Sequence, residues 1–170
     1  YDPVSLRPEM KDFTIYVDGI SKSLAATGIR VGWAMGPKFI IDKMKAILTH
    51  VGAWAPKAEQ MATARFLSEL DRYDTFLKIQ KDKINKRLQG FYSGLTALKQ
   101  EGFKVDVIAP QAAIYLTVKF DLQDQITNNG TQLKTTRDIT KYLLDEAKLA
   151  IVPFYAFGAS ENSHWYRISV

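Results

Sequence analysis

Gly19-Ile20-Ser21-Lys22-Ser23-Leu24-Ala25-Ala26-Thr27-Gly28-Ile29-Arg30-Val31-Gly32 is the stretch from which the fold is best read. Phe13-Thr14-Ile15-Tyr16-Val17 precedes it, a run of β-branched and aromatic residues that predicts a buried strand. Asp18-Gly19 is a loop signal, small residues follow at Ala25-Ala26 and Gly28, and a second short strand is expected from Ile29 to Met35. Gly36-Pro37 closes that strand. Pro37 suits a helix start, because its missing donor would be unpaired there anyway. The helix should carry Phe39, Ile40, Met44 and Ile47 or Leu48 on one face.

Further along, Pro56 opens another helix, with Met61, Ala64 and Phe66 to Leu70 inside it. Asp71 is expected to cap a long helix from about Tyr73 to Lys99, striped by Phe76, Ile79, Ile84, Leu88, Phe91 and Leu95. Gly102 breaks it, and the pattern turns to short strands at Lys104–Ile108 and Ala113–Phe120. Asp121 to Lys134 is polar and loop-like. Thr135 or Thr136 then caps a helix carrying Ile139, Tyr142, Leu143 and Ala147. Ala150-Ile151-Val152 and Trp165 to Val170 complete the strands. An αβ part to about residue 55 is thus followed by helices and an α+β part.

Bulk properties narrow the function classes. Of 170 residues, 46% are apolar and 24% charged, the mixture of a chain that buries a core. No run of about 18 uncharged apolar residues is present, so no membrane partner is expected. Cysteine is absent, and His50 and His164 do not stand at a metal-ligand spacing, so no metal is expected. The net charge of +5 owes much to Lys78, Lys81, Lys83, Lys86 and Arg87. These alternate with Asp82 and apolar positions, as on a solvated helix face, and no nucleic-acid-binding motif accompanies them. The chain starts at Tyr1 rather than a methionine and stops in a strand, so it reads as a piece of something longer.

A lysine directly after a buried strand would have its stem in apolar surroundings. Partial desolvation disfavours the ammonium form and lowers the pKa from about 10.4. Such an amine condenses more readily with an aldehyde. Arg30 follows eight residues later, with Gly28 allowing close backbone approach. Lys22 and Arg30 could therefore grip the two ends of one small molecule, an aldehyde and a phosphate. By residue type alone, a lysine beside a loop is more often simply solvated.

Residues 19–32 resemble the cofactor-attachment signature of the class I/II aminotransferases. That family has a small pair before the lysine, glycine six residues after it, and arginine-aliphatic-small at the eighth to tenth positions. The resemblance implies that Lys22 forms the Schiff base with pyridoxal 5'-phosphate and shuttles the substrate proton, and that Arg30 binds the cofactor phosphate. Gly19 stands where many members have a phosphate-contacting serine. Downstream, Pro56 with Gln60, Ala62 and Phe66-Leu67 resembles the family's next helix. Pro110-Gln111-Ala112-Ala113-Ile114-Tyr115-Leu116 resembles "P-x-G-A-x-Y-L", with Ala112 in place of glycine. Leu149-Ala150-Ile151-Val152-Pro153 with Phe157-Gly158 resembles "G-V-x-V-x-P-G-x-x-F-G", with Phe154 in place of glycine. Trp165-Tyr166-Arg167-Ile168-Ser169 resembles the last signature, so Arg167 inherits the grip on the substrate α-carboxylate. As a residue on an edge strand, Arg167 would otherwise read as a solvated arginine.

The resemblance implies an α/β fold class. Residues 1–55 would be the end of the large pyridoxal-phosphate-binding domain of a fold type I enzyme, residues 56–100 connecting helices, and residues 101–170 its α+β small domain. The partners implied are an amino acid, with aspartate the nearest donor, a 2-oxo acid, and a second subunit in a cytoplasmic homodimer. The family's ring-nitrogen aspartate, ring-oxygen tyrosine and glycine-rich phosphate segment lie upstream of its lysine. Asp2 and Asp18 stand too close to Lys22 for that aspartate, and Tyr1 reads as loop. The piece alone is expected to be inactive. A lyase, decarboxylase or synthase of the same fold, and a non-catalytic aminotransferase-like domain, stay open as alternatives.

Overall fold

The computed structural model describes residues 2–170; Tyr1 lies outside the described residues. The chain divides into two compact units, Tyr1–Ile79 and Gln80–Val170.

In the first unit, Asp2 caps the short helix α1 (Pro3–Leu6) by accepting from the backbone of Val4 and Ser5. A 3-10 turn covers Pro8–Phe13. The antiparallel ribbon of β1 (Tyr16–Gly19) and β2 (Gly32–Met35) follows, with α2 (Ile20–Ser23) between its strands. The first strand thus starts at Tyr16 instead of Phe13, because the turn that Pro8 begins runs on through Phe13. Nor is it buried: Phe13 is 82% and Val17 71% exposed, since β2 is the only strand that pairs with it among the described residues.

Helix α3 (Lys38–Val51) starts directly after Pro37 and ends at Gly52, whose left-handed φ of 70° returns its N–H to the Leu48 carbonyl. Ile40, Ile41, Met44 and Leu48 are half-buried, whereas Phe39 and Ile47 face outward. Helix α4 (Lys57–Ser68) follows Pro56. Helix α5 (Leu70–Gln100) carries Asp71 within its first turn, not at its cap, and crosses from one unit to the other. Its less exposed positions, Tyr73, Phe76, Leu77, Gln80, Ile84, Leu88, Tyr92, Leu95 and Thr96, recur along one stripe at steps of three or four residues. Ile79 and Phe91 stand outside that stripe.

The second unit holds a four-stranded antiparallel sheet in the order β3 (Val105–Ile108), β4 (Tyr115–Phe120), β6 (Trp165–Ser169), β5 (Val152–Pro153). Side chains alternate between faces along a strand. Leu116 and Val118 of β4 and Tyr166 and Ile168 of β6 therefore enter the core together, with Leu88, Leu133, Ile139 and Leu143. Ile139 and Leu143 come from α6 (Thr136–Asp145). There Thr135 and Asp138 form a reciprocal capping box, which satisfies two donors at the helix start. No helix among the described residues is long and apolar enough to cross a membrane.

Candidate functional site

The first group of candidate residues sits at one end of the β1–β2 ribbon. Gly19 pairs with Gly32, and the backbone N–H of Ile20 donates to the Val31 carbonyl at 3.2 Å. Ile20 and Val31 are buried, which anchors both sides of the loop. A Cβ added at Gly19 would lie 3.0 Å from the Val31 oxygen, and one at Gly32 would lie 2.9 Å from the Asp18 oxygen. Those two glycines permit the close approach of the strands. Gly28, expected to do so, has nothing within 4 Å of its Cβ position.

From that closed end the chain runs into α2, which carries Lys22, and returns through a 3-10 turn at Thr27–Ile29 to Arg30. Arg30 precedes the strand instead of beginning it. Its backbone is left-handed, with φ 60° and ψ 42°, a conformation that costs a residue with a Cβ of order 1 kcal/mol or more. Ala25, at φ 52°, is strained in the same way. One residue ties the loop: the Thr27 hydroxyl donates to the Ser21 carbonyl at 3.0 Å, and the Thr27 carbonyl accepts from Arg30 Nη1 at 2.9 Å. The guanidinium is thereby linked, through a single residue, to the backbone next to Lys22. Lys22 and Arg30 are both exposed, so the apolar burial expected around Lys22 is not supplied by the described residues.

Arg167 lies in the second unit, on β6. That strand is flanked by β4 on one side and β5 on the other, so Arg167 is interior to the sheet and not on an edge. It pairs with Thr117 and Val152 and points away from the face that holds Tyr166 and Ile168. Its Cζ stands 4.3 Å from the Tyr115 ring centroid and 4.6 Å from that of Phe157. The Nε is buried and meets no hydrogen-bond acceptor among the described residues. Carboxylates elsewhere in this unit bind other cations: Asp106 with Lys99, Asp121 with Lys119, and Glu161 with Arg137. An unspent donor on a half-buried guanidinium has the chemistry to meet an anion.

Phe157 ends a 3-10 turn, Phe154–Phe157, which Gly158 closes at φ 88°. Phe154, which stands where glycine is usual in the resembling motif, thus opens a turn whose glycine comes at its end. Where Ala112 replaces glycine, the neighbouring Ala113 takes the left-handed conformation, at φ 62°.

Tyr115 and Phe157 belong to motifs whose local pattern carries no sign of their shared contact with Arg167. His164, set aside above as a metal ligand, is buried and sits 3.1 Å from Asp121 through Nδ1. That hydrogen bond and the nearby Lys119 hold the Asp121 carboxyl below its ordinary range. No group of three or more His, Cys, Asp or Glu able to hold a metal ion occurs among the described residues. Asp2 is engaged in capping, and Asp18 accepts from the Tyr16 hydroxyl at 2.8 Å.

Comparison with known proteins gives a consistent picture. A family model described as aminotransferase class I and II matches residues 2–170. The aspartate aminotransferase of Rhizobium meliloti strain 1021 is 32% identical over 168 residues, covering 98% of this chain and 38% of that protein. A probable aspartate/prephenate aminotransferase of Rickettsia conorii is 31% identical over 170 residues, covering 99% of this chain and 40% of that protein. Among solved structures, the Rhizobium meliloti aspartate aminotransferase superposes with a TM-score of 0.83 at 31% identity, again over 99% of this chain and 40% of that one. The chain therefore spans well under half the length of the relatives it matches.

Proposed function

The chain belongs to the class I and II aminotransferase family, and from that premise we propose that the full-length protein moves an amino group from an amino acid to a 2-oxo acid. Residues 1–55 end a large cofactor-binding domain, residues 56–100 connect, and residues 101–170 form part of a small domain. Aspartate is the proposed donor, by likeness to relatives named as aspartate aminotransferases. The protein acts as a cytoplasmic homodimer on small-molecule substrates.

The observation that carries this reading is the Thr27 link, which ties Arg30 to the backbone beside Lys22 at the closed end of the ribbon. A primary amine and a guanidinium on one short loop fit a molecule with an aldehyde at one end and a phosphate at the other. Pyridoxal 5'-phosphate, when bound, supplies that aldehyde and an electron-withdrawing ring. Lys22 would hold that aldehyde through its Nζ and, when freed by the substrate amine, would carry the proton between the substrate α-carbon and the cofactor C4′. Arg30 spends one donor on the Thr27 carbonyl and offers the rest of its fork to the phosphate. Arg167 orients the amino acid through its α-carboxylate, a task for which its planar donor fork is suited and a lysine is not.

Borohydride reduction of the full-length protein followed by peptide mapping tests this. The reduced cofactor is expected on Lys22, and Lys22→Ala should abolish the label and the formation of glutamate from 2-oxoglutarate. A label on a different lysine overturns the assignment.

A further inference from the structure

We infer that Tyr115 and Phe157 are positioning residues: their two ring faces hold the Arg167 guanidinium so that its N–H donors stay available to the substrate carboxylate. This rests on Arg167 being the carboxylate-binding group. An arginine side chain has several rotatable bonds, and presenting its fork in one orientation requires something to hold it. An acidic side chain would do so, but it would consume the donors and neutralise the charge that the ligand needs. An aromatic face attracts the cation through its quadrupole and consumes no N–H.

The fold supplies both rings by separate routes. Tyr115 opposes Ser169 and Thr117 opposes Arg167, which makes Tyr115 a diagonal, same-face neighbour of Arg167 across the β4–β6 ladder. Phe157 arrives from the turn after β5, on the other flank of β6, and its ring packs edge-on against Phe154 with centroids 6.0 Å apart. Gly158 stops the turn directly after it, in a left-handed conformation that a side chain would disfavour. The result is a cation held from two elements by π-faces while its buried Nε meets no acceptor among the described residues.

The test is steady-state kinetics on the full-length protein with Phe157→Leu and Tyr115→Leu, alongside Phe157→Tyr, Tyr115→Phe and Arg167→Ala. Each leucine variant should raise the KM for the amino donor about fivefold or more, with kcat within about twofold. Phe157→Tyr and Tyr115→Phe, which keep a ring face, should restore wild-type KM. Thermal unfolding is followed in parallel. If Tyr115→Leu fails to fold, Phe157→Leu carries the test alone, because residue Phe157 is 51% exposed in the fold. Wild-type KM in folded leucine variants, with affinity lost in Arg167→Ala, overturns the inference and leaves Arg167 as the carboxylate group. Wild-type KM in Arg167→Ala itself overturns the reading on which the inference rests.

Discussion

Thr27→Val removes one of the two hydrogen bonds through which Thr27 links Arg30 to the backbone beside Lys22. Valine keeps the β-branched shape and the backbone carbonyl that accepts from Arg30, and it removes only the hydroxyl that donates to Ser21 at 3.0 Å. A neutral hydrogen bond contributes about 0.5–1.5 kcal/mol net, and this one is exposed, so the lower half of that range applies. If the bond serves to hold the loop in its cofactor-ready shape, the loss appears in cofactor affinity as a factor of roughly 2 to 5. Titration of the cofactor-free full-length protein with pyridoxal phosphate, followed by absorbance, measures it. Thr27→Ser keeps the hydroxyl and should bind as the wild type does. Equal affinities for wild type, Thr27→Ser and Thr27→Val would refute the idea that this link shapes the site.

Other outcomes follow from the second unit. Ile139 is fully buried in its core, so Ile139→Ala should lower stability by about 2–5 kcal/mol in denaturant unfolding, with the spread set by how far the cavity collapses. Burial pushes the Tyr166 hydroxyl up to about 12, so the fold favours the neutral phenol. Its contribution is complete below the ordinary tyrosine value near 10 and fades as pH climbs towards 12. Tyr166→Phe should therefore resist alkaline unfolding better than wild type, as read by circular dichroism against pH.

What could be read locally was read from local chemistry. The helix starts after Pro37, after Pro56 and at Thr135 depend on the residues at the boundary, as does the helix-ending Gly102, and all four appear in the fold. The order of motifs likewise carried the family, because each motif is a short run whose residues act on their own neighbours. Periodicity in α5 was only half sufficient. Ile79 and Phe91 fit a helical stripe as well as Tyr92 does, and the surfaces against which the helix packs decide among them.

By itself, then, the sequence determined the helix starts after Pro37, after Pro56 and at Thr135, the main strand and helix segments to within a few residues, and the lysine and arginine bracketing one small-residue loop, since these follow from backbone preferences over a few residues. Only the tertiary structure decided that β5 lies on the far side of β6 and makes Arg167 interior, that Gly19 and Gly32 rather than Gly28 meet another strand, and that Tyr115 and Phe157 converge on one guanidinium. Strand order and ring contacts join residues distant along the chain. They are set by which faces can be buried together, a competition that no short window of sequence contains.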